Sequence, residues 1–157
     1  GKSEYAEQLV SELGGSEVSY IATAQAFDEE MEKRIDIHQR RRDEEWETLE
    51  LPLHVSSGIS EVKYPTVLLD CLTLLITNWF LEKDEESAEE EVRRLLVAAK
   101  KRVGNTIIVS NEIGSGIVPM NKMARQFRDL QGRINKIVAQ SADNVTLVVA
   151  GQPLQLK

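Results

Sequence analysis

The first three residues, Gly1-Lys2-Ser3, match the end of the phosphate-binding pattern G-x-x-x-x-G-K-[ST]. In a loop of this kind, backbone N–H groups surround the phosphates, the lysine reaches the β and γ oxygens, and the serine hydroxyl binds Mg²⁺ at a helix N-terminus. Lys2 and Ser3 are therefore candidate ligands of a nucleotide and its metal. The tripeptide is a weak signal by itself, because it occurs often by chance.

The residues after Ser3 strengthen this interpretation. Tyr5, Leu9 and Leu13 recur at helical spacing, and the pair Gly14-Gly15 suits a helix C-terminus. We expect an apolar strand and the glycine-rich beginning of the loop to precede Gly1. On this interpretation the first strand and most of the phosphate loop are missing from the chain.

Asp70 is a second candidate for metal chemistry. It ends the apolar run Leu68-Leu69-Asp70, where phosphate-loop enzymes place a carboxylate that holds Mg²⁺. The same residue would also suit a helix cap before Leu72. The neighbouring Cys71 is predicted to be a small buried residue rather than a nucleophile, because free cysteines are often buried.

A cluster of basic side chains surrounds His38. Arg34, His38, Arg41 and Arg42 are spaced i, i+4, i+7 and i+8, which places them on one face of a helix. Three guanidinium groups would keep the imidazole neutral and bind phosphate oxygens, and a neutral imidazole can attack phosphorus. Spacing alone favours a solvent-facing basic helix, because runs of charge are usually solvated.

A long loop follows the strand predicted at 106–109. It runs from Ser110 to Pro119 and carries polar and glycine residues suited to a substrate or a metal-bound water, namely Asn111, Glu112, Gly114 and Gly116. An ordinary strand-to-helix connection would use its glycines for turn geometry. Such connections usually have about 2–6 residues, however, and this one has ten.

Short β-rich runs alternate with helical patterns along the chain, which predicts an α/β fold with a mainly parallel sheet buried on both faces. Strands are predicted at 18–22, 66–69, 106–109 and 145–149, with further strands at 46–51 and 153–157. Helices are predicted at about 28–41, 72–82, 85–102 and 120–142. The charge run from Glu85 to Glu91 is predicted to be a solvated first turn.

The composition limits the possible functions. Nineteen basic and 26 acidic residues give a net charge of −7, which argues against nucleic-acid or anionic-membrane binding. The apolar stretch 67–81 is too short and too polar to span a bilayer, so we expect no membrane insertion. The length suits one domain over 1–157, and the single cysteine fits a cytoplasmic protein.

Taken together and in order, these segments resemble the bifunctional adenosylcobinamide kinase/adenosylcobinamide-phosphate guanylyltransferase family of cobalamin biosynthesis. The segments that carry the resemblance are Ile21-Ala22-Thr23-Ala24-Gln25, Asp28-Glu29-Glu30-Met31, Arg34-Ile35-x-x-His38, Trp46-x-Thr48-x-Glu50, Leu68-Leu69-Asp70-Cys71-Leu72-Thr73, Asn111-Glu112-x-Gly114-x-Gly116-Ile117-Val118-Pro119 and Arg125-x-Phe127-Arg128-Asp129-x-x-Gly132-x-x-Asn135. They cover nearly the whole chain. The chain departs from the family at Asp43, where proline is common.

The resemblance implies a fold similar to that of P-loop NTPases and two reactions. ATP or GTP would phosphorylate adenosylcobinamide with Lys2 and Ser3 on the phosphates and Ser3 and Asp70 on Mg²⁺. His38 would then accept GMP from GTP and pass it to adenosylcobinamide phosphate, giving adenosylcobinamide-GDP. The guanine nucleotide site would include Gly1, Thr23, Ala24, Gln25, Arg34, Gln39, Arg40, Arg41, Arg42 and Glu50. The resemblance also implies a homo-oligomer, a trimer, whose neighbouring subunit helps to form the corrinoid pocket.

Three alternatives stay open at this point. A P-loop kinase of another small metabolite would use Lys2, Ser3 and Asp70 but would have no need of His38. A family member that has lost its kinase activity would keep only guanylyl transfer. A non-enzymatic guanine-nucleotide-binding switch would bind nucleotide without turning over a corrinoid.

Overall fold

Short apolar runs form the parallel sheet at the centre of the computed structural model, which describes residues 1–25 and 43–157. Four strands of the described residues pair in parallel in the order β2-β1-β3-β4. Their bounds are Val18–Ala22 for β1, Glu47–Glu50 for β2, Thr66–Asp70 for β3 and Thr106–Val109 for β4. Every residue of β1 is buried, as expected for a central strand covered on both faces.

The register of this sheet aligns the carboxyl ends of its strands. Ala22 pairs with Glu50 on one side and with Asp70 on the other, and Asp70 pairs with Val109. We call these four residues the carboxyl-edge row. Ligands of parallel sheets bind beyond the carboxyl ends of the strands, so this row marks the edge at which a site is expected.

Helices cover both faces of the sheet. The helices of the described residues are α1 (Lys2–Gly14), α2 (Val55–Gly58), α3 (Leu72–Glu82), α4 (Glu85–Lys101) and α5 (Lys122–Ser141). Side chains of a strand alternate between faces. Accordingly, Tyr20 and Leu68 pack with Val10 of α1, whereas Ile21 and Leu69 pack with the core residues of α2, α3, α4 and α5. The predicted α/β fold with a parallel sheet and helices on both faces is confirmed.

The structure differs from the sequence-based expectation at 145–149. That segment was expected to join the parallel sheet, but β5 (Thr146–Val149) pairs antiparallel with β6 (Gln152–Gln155) in a separate hairpin. Ala150 and Gly151 connect the strands and both have positive φ angles, 51° and 76°. A two-residue connection with this backbone twist directs the chain straight back on itself.

Two further expectations concern the helices. The charge run differs at its end, because Glu91 is buried rather than solvated. The helix predicted at about 28–41 falls largely on residues 26–42, which lie outside the described residues. Within the described ranges, none of the helices is both long enough and apolar enough to cross a membrane.

Candidate active site

The first turn of α1 lies at the carboxyl edge of the sheet. At the other end of this helix, a Cβ atom added to Gly14 would lie 2.9 Å from the Cβ atom of Thr66, the first residue of β3. A helix of 13 residues is about 20 Å long. The N-terminus of α1 therefore extends to the opposite edge, where β3 ends at Asp70.

Gly1 fits closely against the β5–β6 hairpin. A Cβ atom at this position would lie 2.7 Å from the Cα atom of Gly151, so a larger residue would push the two segments apart. Gly1 also accepts a hydrogen bond from the backbone N–H of Tyr5 at 3.0 Å, which makes it the start of the helix. The first N–H groups of a helix have no acceptor within the helix itself, so the first turn of α1 favours anions.

Asp70 is a half-buried carboxylate oriented by the neighbouring strand. The hydroxyl of Tyr20, a buried residue of β1, donates a 2.8 Å hydrogen bond to Oδ2 of Asp70. The capping residue of α3 is Cys71, whose own side chain makes no capping hydrogen bond. The alternative role of Asp70 as a helix cap is therefore not what the structure shows.

Thr23 joins the ends of the two central strands. Its fully buried hydroxyl donates to the carbonyl of Cys71 at 2.7 Å and accepts from the N–H of Cys71 at 2.9 Å. Burial raises the pKa of the Cys71 thiol to about 11. Of the two neighbouring charges, Asp70 raises this pKa slightly further and Lys2 lowers it slightly. Cys71 is thus a buried neutral thiol, and both charged groups act on it from the same edge.

Glu50 is the last residue of β2 and belongs to the carboxyl-edge row. Glu50 is exposed at the end of β2, and the N–H of Leu51 donates to the carbonyl of Ala22 at 2.9 Å. Ala24 and Gln25, which continue from Thr23, are half-buried. Arg34, His38, Gln39, Arg40, Arg41 and Arg42 lie outside the described residues.

The loop after β4 is held at its start by polar side chains. Thr73 accepts a 2.9 Å hydrogen bond from the N–H of Asn111, and Asn135 of α5 donates to the carbonyl of Asn111 at 3.0 Å. Asn135 also donates to the Glu112 carboxylate at 3.3 Å, and that carboxylate accepts from the N–H of Gly114 at 3.1 Å. These bonds fix the orientation of Glu112 at the same edge as Asp70.

Residues 1–156 match the model of the family described as cobinamide kinase / cobinamide phosphate guanyltransferase. The chain belongs to this family. Both activities of its name are transferase reactions, and the resemblance inferred from the motifs is confirmed.

Relatives of this kinase/guanyltransferase chain are similar over its whole length. The bifunctional adenosylcobalamin biosynthesis protein CobP of Pseudomonas aeruginosa is 43% identical over 159 residues, which cover all of this chain and 91% of the relative. The protein CobU of Escherichia coli, with the same description, is 37% identical over 172 residues, covering all of this chain and 94% of the relative. CobU of Salmonella typhimurium is 36% identical with the same coverage.

The oxygen donors at this edge of the kinase/guanyltransferase fit Mg²⁺. Mg²⁺ prefers oxygen ligands, keeps several waters, and is held in nucleotide sites by one or two protein groups and the phosphates. The hydroxyl of Ser3 and the carboxylate of Asp70 supply that number. In residues 1–25 and 43–157, no three His, Cys, Asp or Glu side chains cluster as a cage for a metal ion.

Sequence reasoning counted Arg125, Arg128 and Asn135 in a motif of the family resemblance but gave no role to these residues, by which α5 of this kinase/guanyltransferase shapes the loop. Arg128 donates to the carbonyl of Gly114 at 2.6 Å, and Arg125 donates to the carbonyls of Pro119 and Met120 at 3.0 and 2.6 Å. Arg125, Arg128 and Asn135 lie at spacings of three and seven, which is one face of a helix. That spacing, together with the unusual length of the loop, was the signal available in the sequence.

Proposed function

We propose that this protein phosphorylates adenosylcobinamide and then transfers GMP from GTP to the product, giving adenosylcobinamide-GDP. The observation that carries the proposal is the carboxyl-edge row. Asp70 and Glu50 end two strands at this edge, and the first turn of α1, which carries Lys2 and Ser3, lies at the same edge, which supports a nucleotide site there. The cytoplasm, which supplies nucleoside triphosphates, is the proposed compartment.

The kinase step would take place at the start of α1. The hydroxyl of the aminopropanol arm attacks the terminal phosphorus of ATP or GTP, the bond to the leaving diphosphate breaks, and the hydroxyl proton is released. Lys2 and the backbone N–H groups of the first turn would balance the charge on the phosphates. Ser3 and Asp70 would hold Mg²⁺, which would supply further neutralisation of phosphate charge when bound.

The guanylyl step would pass through His38. A neutral imidazole nitrogen attacks the α-phosphorus of GTP and pyrophosphate leaves, so that a phosphoramidate bond to GMP forms. A phosphate oxygen of adenosylcobinamide phosphate then attacks the same phosphorus and releases the imidazole. A covalent intermediate divides one difficult displacement into two. The residues proposed to line this nucleotide are Gly1, Thr23, Ala24, Gln25, Arg34, Gln39, Arg40, Arg41, Arg42 and Glu50.

The loop after β4 is proposed to contact the corrinoid through Asn111, Glu112, Gly114 and Gly116. Next to these residues, Ile117 and Met120 expose 96% and 98% of their surface. Exposed apolar side chains suit burial in a subunit contact, and the family resemblance implies three subunits, so we propose a homo-oligomer, a trimer. Light scattering combined with size-exclusion chromatography would measure its mass, and a monomer at micromolar concentration would refute this part.

The decisive experiment uses GTP labelled in the α-phosphate. The full-length protein with Mg²⁺ should acquire acid-labile, alkali-stable label on His38, and His38→Ala should abolish both the label and guanylyl transfer. The matched control is His54→Ala, which removes the other histidine of the chain and should keep the label. His54 packs edge-on against Trp79, with ring centroids 5.4 Å apart. Label that survives in His38→Ala would refute the mechanism.

Two further assays separate the alternatives. GTP labelled only in the γ-phosphate should leave no stable label on the protein, since the γ-phosphate leaves with pyrophosphate. Phosphorylation of adenosylcobinamide without any protein adduct would favour a kinase alone. An adduct without phosphorylation would favour a guanylyltransferase that has lost its kinase activity, and nucleotide binding without corrinoid turnover would favour a switch.

A further inference from the structure

Asn78 is a polar residue buried in the middle of α3. It interrupts the apolar run of that helix and is only 5% exposed. Asparagine has a low intrinsic helix propensity, and a buried amide is costly unless its hydrogen bonds are made. Its Nδ2 atom donates to the carbonyl of Thr23 at 3.0 Å and to the carbonyl of Pro52 at 2.7 Å. Both bonds leave the helix and reach loops.

The two carbonyls belong to segments that leave the sheet separately. Thr23 directly follows β1 and precedes Ala24 and Gln25, and Pro52 lies two residues beyond Glu50 at the end of β2. In the described part of these segments, the backbone bond from Leu51 to Ala22 is the last rung of the ladder between them. Beyond that rung, the amide of Asn78 connects the two segments.

Neighbouring side chains fix the rest of the second segment. The indole Nε1 of Trp79 donates to the carbonyl of Leu53 at 3.2 Å, and the carboxylate of Glu91 accepts from the N–H of Ser56 at 2.8 Å. These two bonds hold 53–56 against α3 and α4. They do not reach Thr23, whose hydroxyl is held separately by the backbone of Cys71. Among the side-chain hydrogen bonds of the described residues, those of Asn78 are the ones that link the two segments directly.

We infer that Asn78 is a positioning residue for the guanine nucleotide in guanylyl transfer. By donating to the carbonyls of Thr23 and Pro52, it holds the start of the segment that carries Ala24 and Gln25 beside the segment that follows Glu50. Small displacements of groups that position a substrate are expensive, because the site must then reorganise when the nucleotide binds. This inference rests on the proposed function, since it takes these residues to line the guanylyl site.

The test compares Asn78→Ala with Thr77→Val in the full-length protein. Thr77 lies on the same helix, and its hydroxyl donates to the carbonyl of Thr73 within that helix at 2.8 Å. Both variants lose side-chain hydrogen bonds, but only Asn78→Ala removes the direct link between the two loop segments. The readout is the GTP concentration that gives half-maximal labelling of His38. It should rise about tenfold in Asn78→Ala and stay within about twofold of wild type in Thr77→Val.

A second variant and a second activity separate positioning from general damage. Asn78→Gln keeps the donor group on a longer side chain, so its half-saturating GTP concentration should lie between those of wild type and Asn78→Ala. If Asn78→Ala does not fold, the comparison of Asn78→Gln with Thr77→Val decides the matter. The half-saturating ATP concentration for phosphorylation of adenosylcobinamide should stay within about twofold of wild type in each variant.

Each outcome has one meaning. Equal GTP dependence in the Asn78 and Thr77 variants overturns the inference, and so does an equal rise in the ATP requirement of the kinase. In both of these cases wild-type His38 is still labelled and the proposed function stands. A wild-type protein that acquires no label on His38 overturns the proposed function, and the role of Asn78 falls with it.

Discussion

Two adjacent glutamates of α4 should differ sharply in their contribution to stability. Glu90 and Glu91 both pair with Arg94, at 2.8 and 3.3 Å. The side chain of Glu91 is 1% exposed, and it also accepts from the N–H and the hydroxyl of Ser56 at 2.8 and 2.9 Å. The side chain of Glu90 is 63% exposed and has the arginine as its partner among the hydrogen bonds of the described residues.

The magnitudes follow from this geometry. Glu91→Ala removes the acceptor of two buried, charge-assisted hydrogen bonds, each worth about 1.5–3 kcal/mol. Taking the lower end, because Ser56 is only half-buried, the loss is about 3 kcal/mol. In a domain of this size it corresponds to a decrease in Tm of about 6–12 °C. Glu90→Ala removes an exposed ion pair worth about 0.5 kcal/mol, or a decrease of about 1–2 °C.

Thermal unfolding followed by circular dichroism at pH 7 and low salt would measure both variants against wild type. Glu91→Gln keeps one acceptor oxygen for Ser56, so its Tm should fall between those of Glu90→Ala and Glu91→Ala. Equal Tm values for the two alanine variants would refute the reasoning. They would mean that the buried bonds to Ser56 contribute no more than an exposed pair.

Three further outcomes are expected. Lys2→Ala should lower kinase turnover at least about 100-fold in the full-length protein. The control Lys63→Ala, which changes an exposed lysine lying over the Tyr64 ring, should leave turnover unchanged. Unchanged turnover in Lys2→Ala would rule out the phosphate loop. Because burial raises the pKa of Cys71 to about 11, its thiol in the folded protein should react slowly with a disulfide reagent at pH 8. The protein unfolded in urea should react fast, and equal rates for the folded and unfolded protein would place the thiol at the surface. The hydrogen bond from the N–H of Ser87 lowers the pKa of the Asp84 carboxyl group in the folded protein. The ionised carboxylate therefore contributes to stability at pH values above its unfolded pKa of about 3.9. This contribution is lost as the pH falls through the lower pKa of the folded state. Asp84→Asn should lack this component between pH 2 and 5, and an unchanged acid profile of Tm would count against it.

Local patterns predicted the fold of this chain well. The helix bounds 72–82 agree with α3, and the apolar run ending at Asp70 indicated both a buried parallel strand and the edge at which a ligand would bind. These features depend on residues close in sequence, so periodicity and strand order suffice to find them. The spacing of Arg34, His38 and Arg41 predicted a helix face that falls outside the described residues.

Long-range contacts were beyond the reach of the same patterns. The pairing of β5 with β6 depends on a turn with Ala150 at positive φ, and alanine gives no signal for that conformation. Glu91 belongs to a charge run typical of a solvated helix turn, but it is buried and accepts a hydrogen bond from Ser56, a residue 35 positions away. In the sequence, Asn78 is only a polar residue that interrupts an apolar helix, and the structure adds its hydrogen bonds to the carbonyls of Thr23 and Pro52. Contacts between residues so distant in sequence are determined by tertiary packing, so no local sequence pattern indicates them.

The carboxyl-edge row makes the proposed active site intolerant of insertions and deletions within the strands. One residue added to β1 or β3 would turn the following side chains to the opposite face and shift Asp70 by one position relative to Ala22. Connections such as 142–145 carry no such constraint, because they pair with no strand of this sheet. Differences in length among members of the family should therefore gather in connections. The spans Val18–Ala22 and Thr66–Asp70 should keep a constant number of residues even where their sequences diverge.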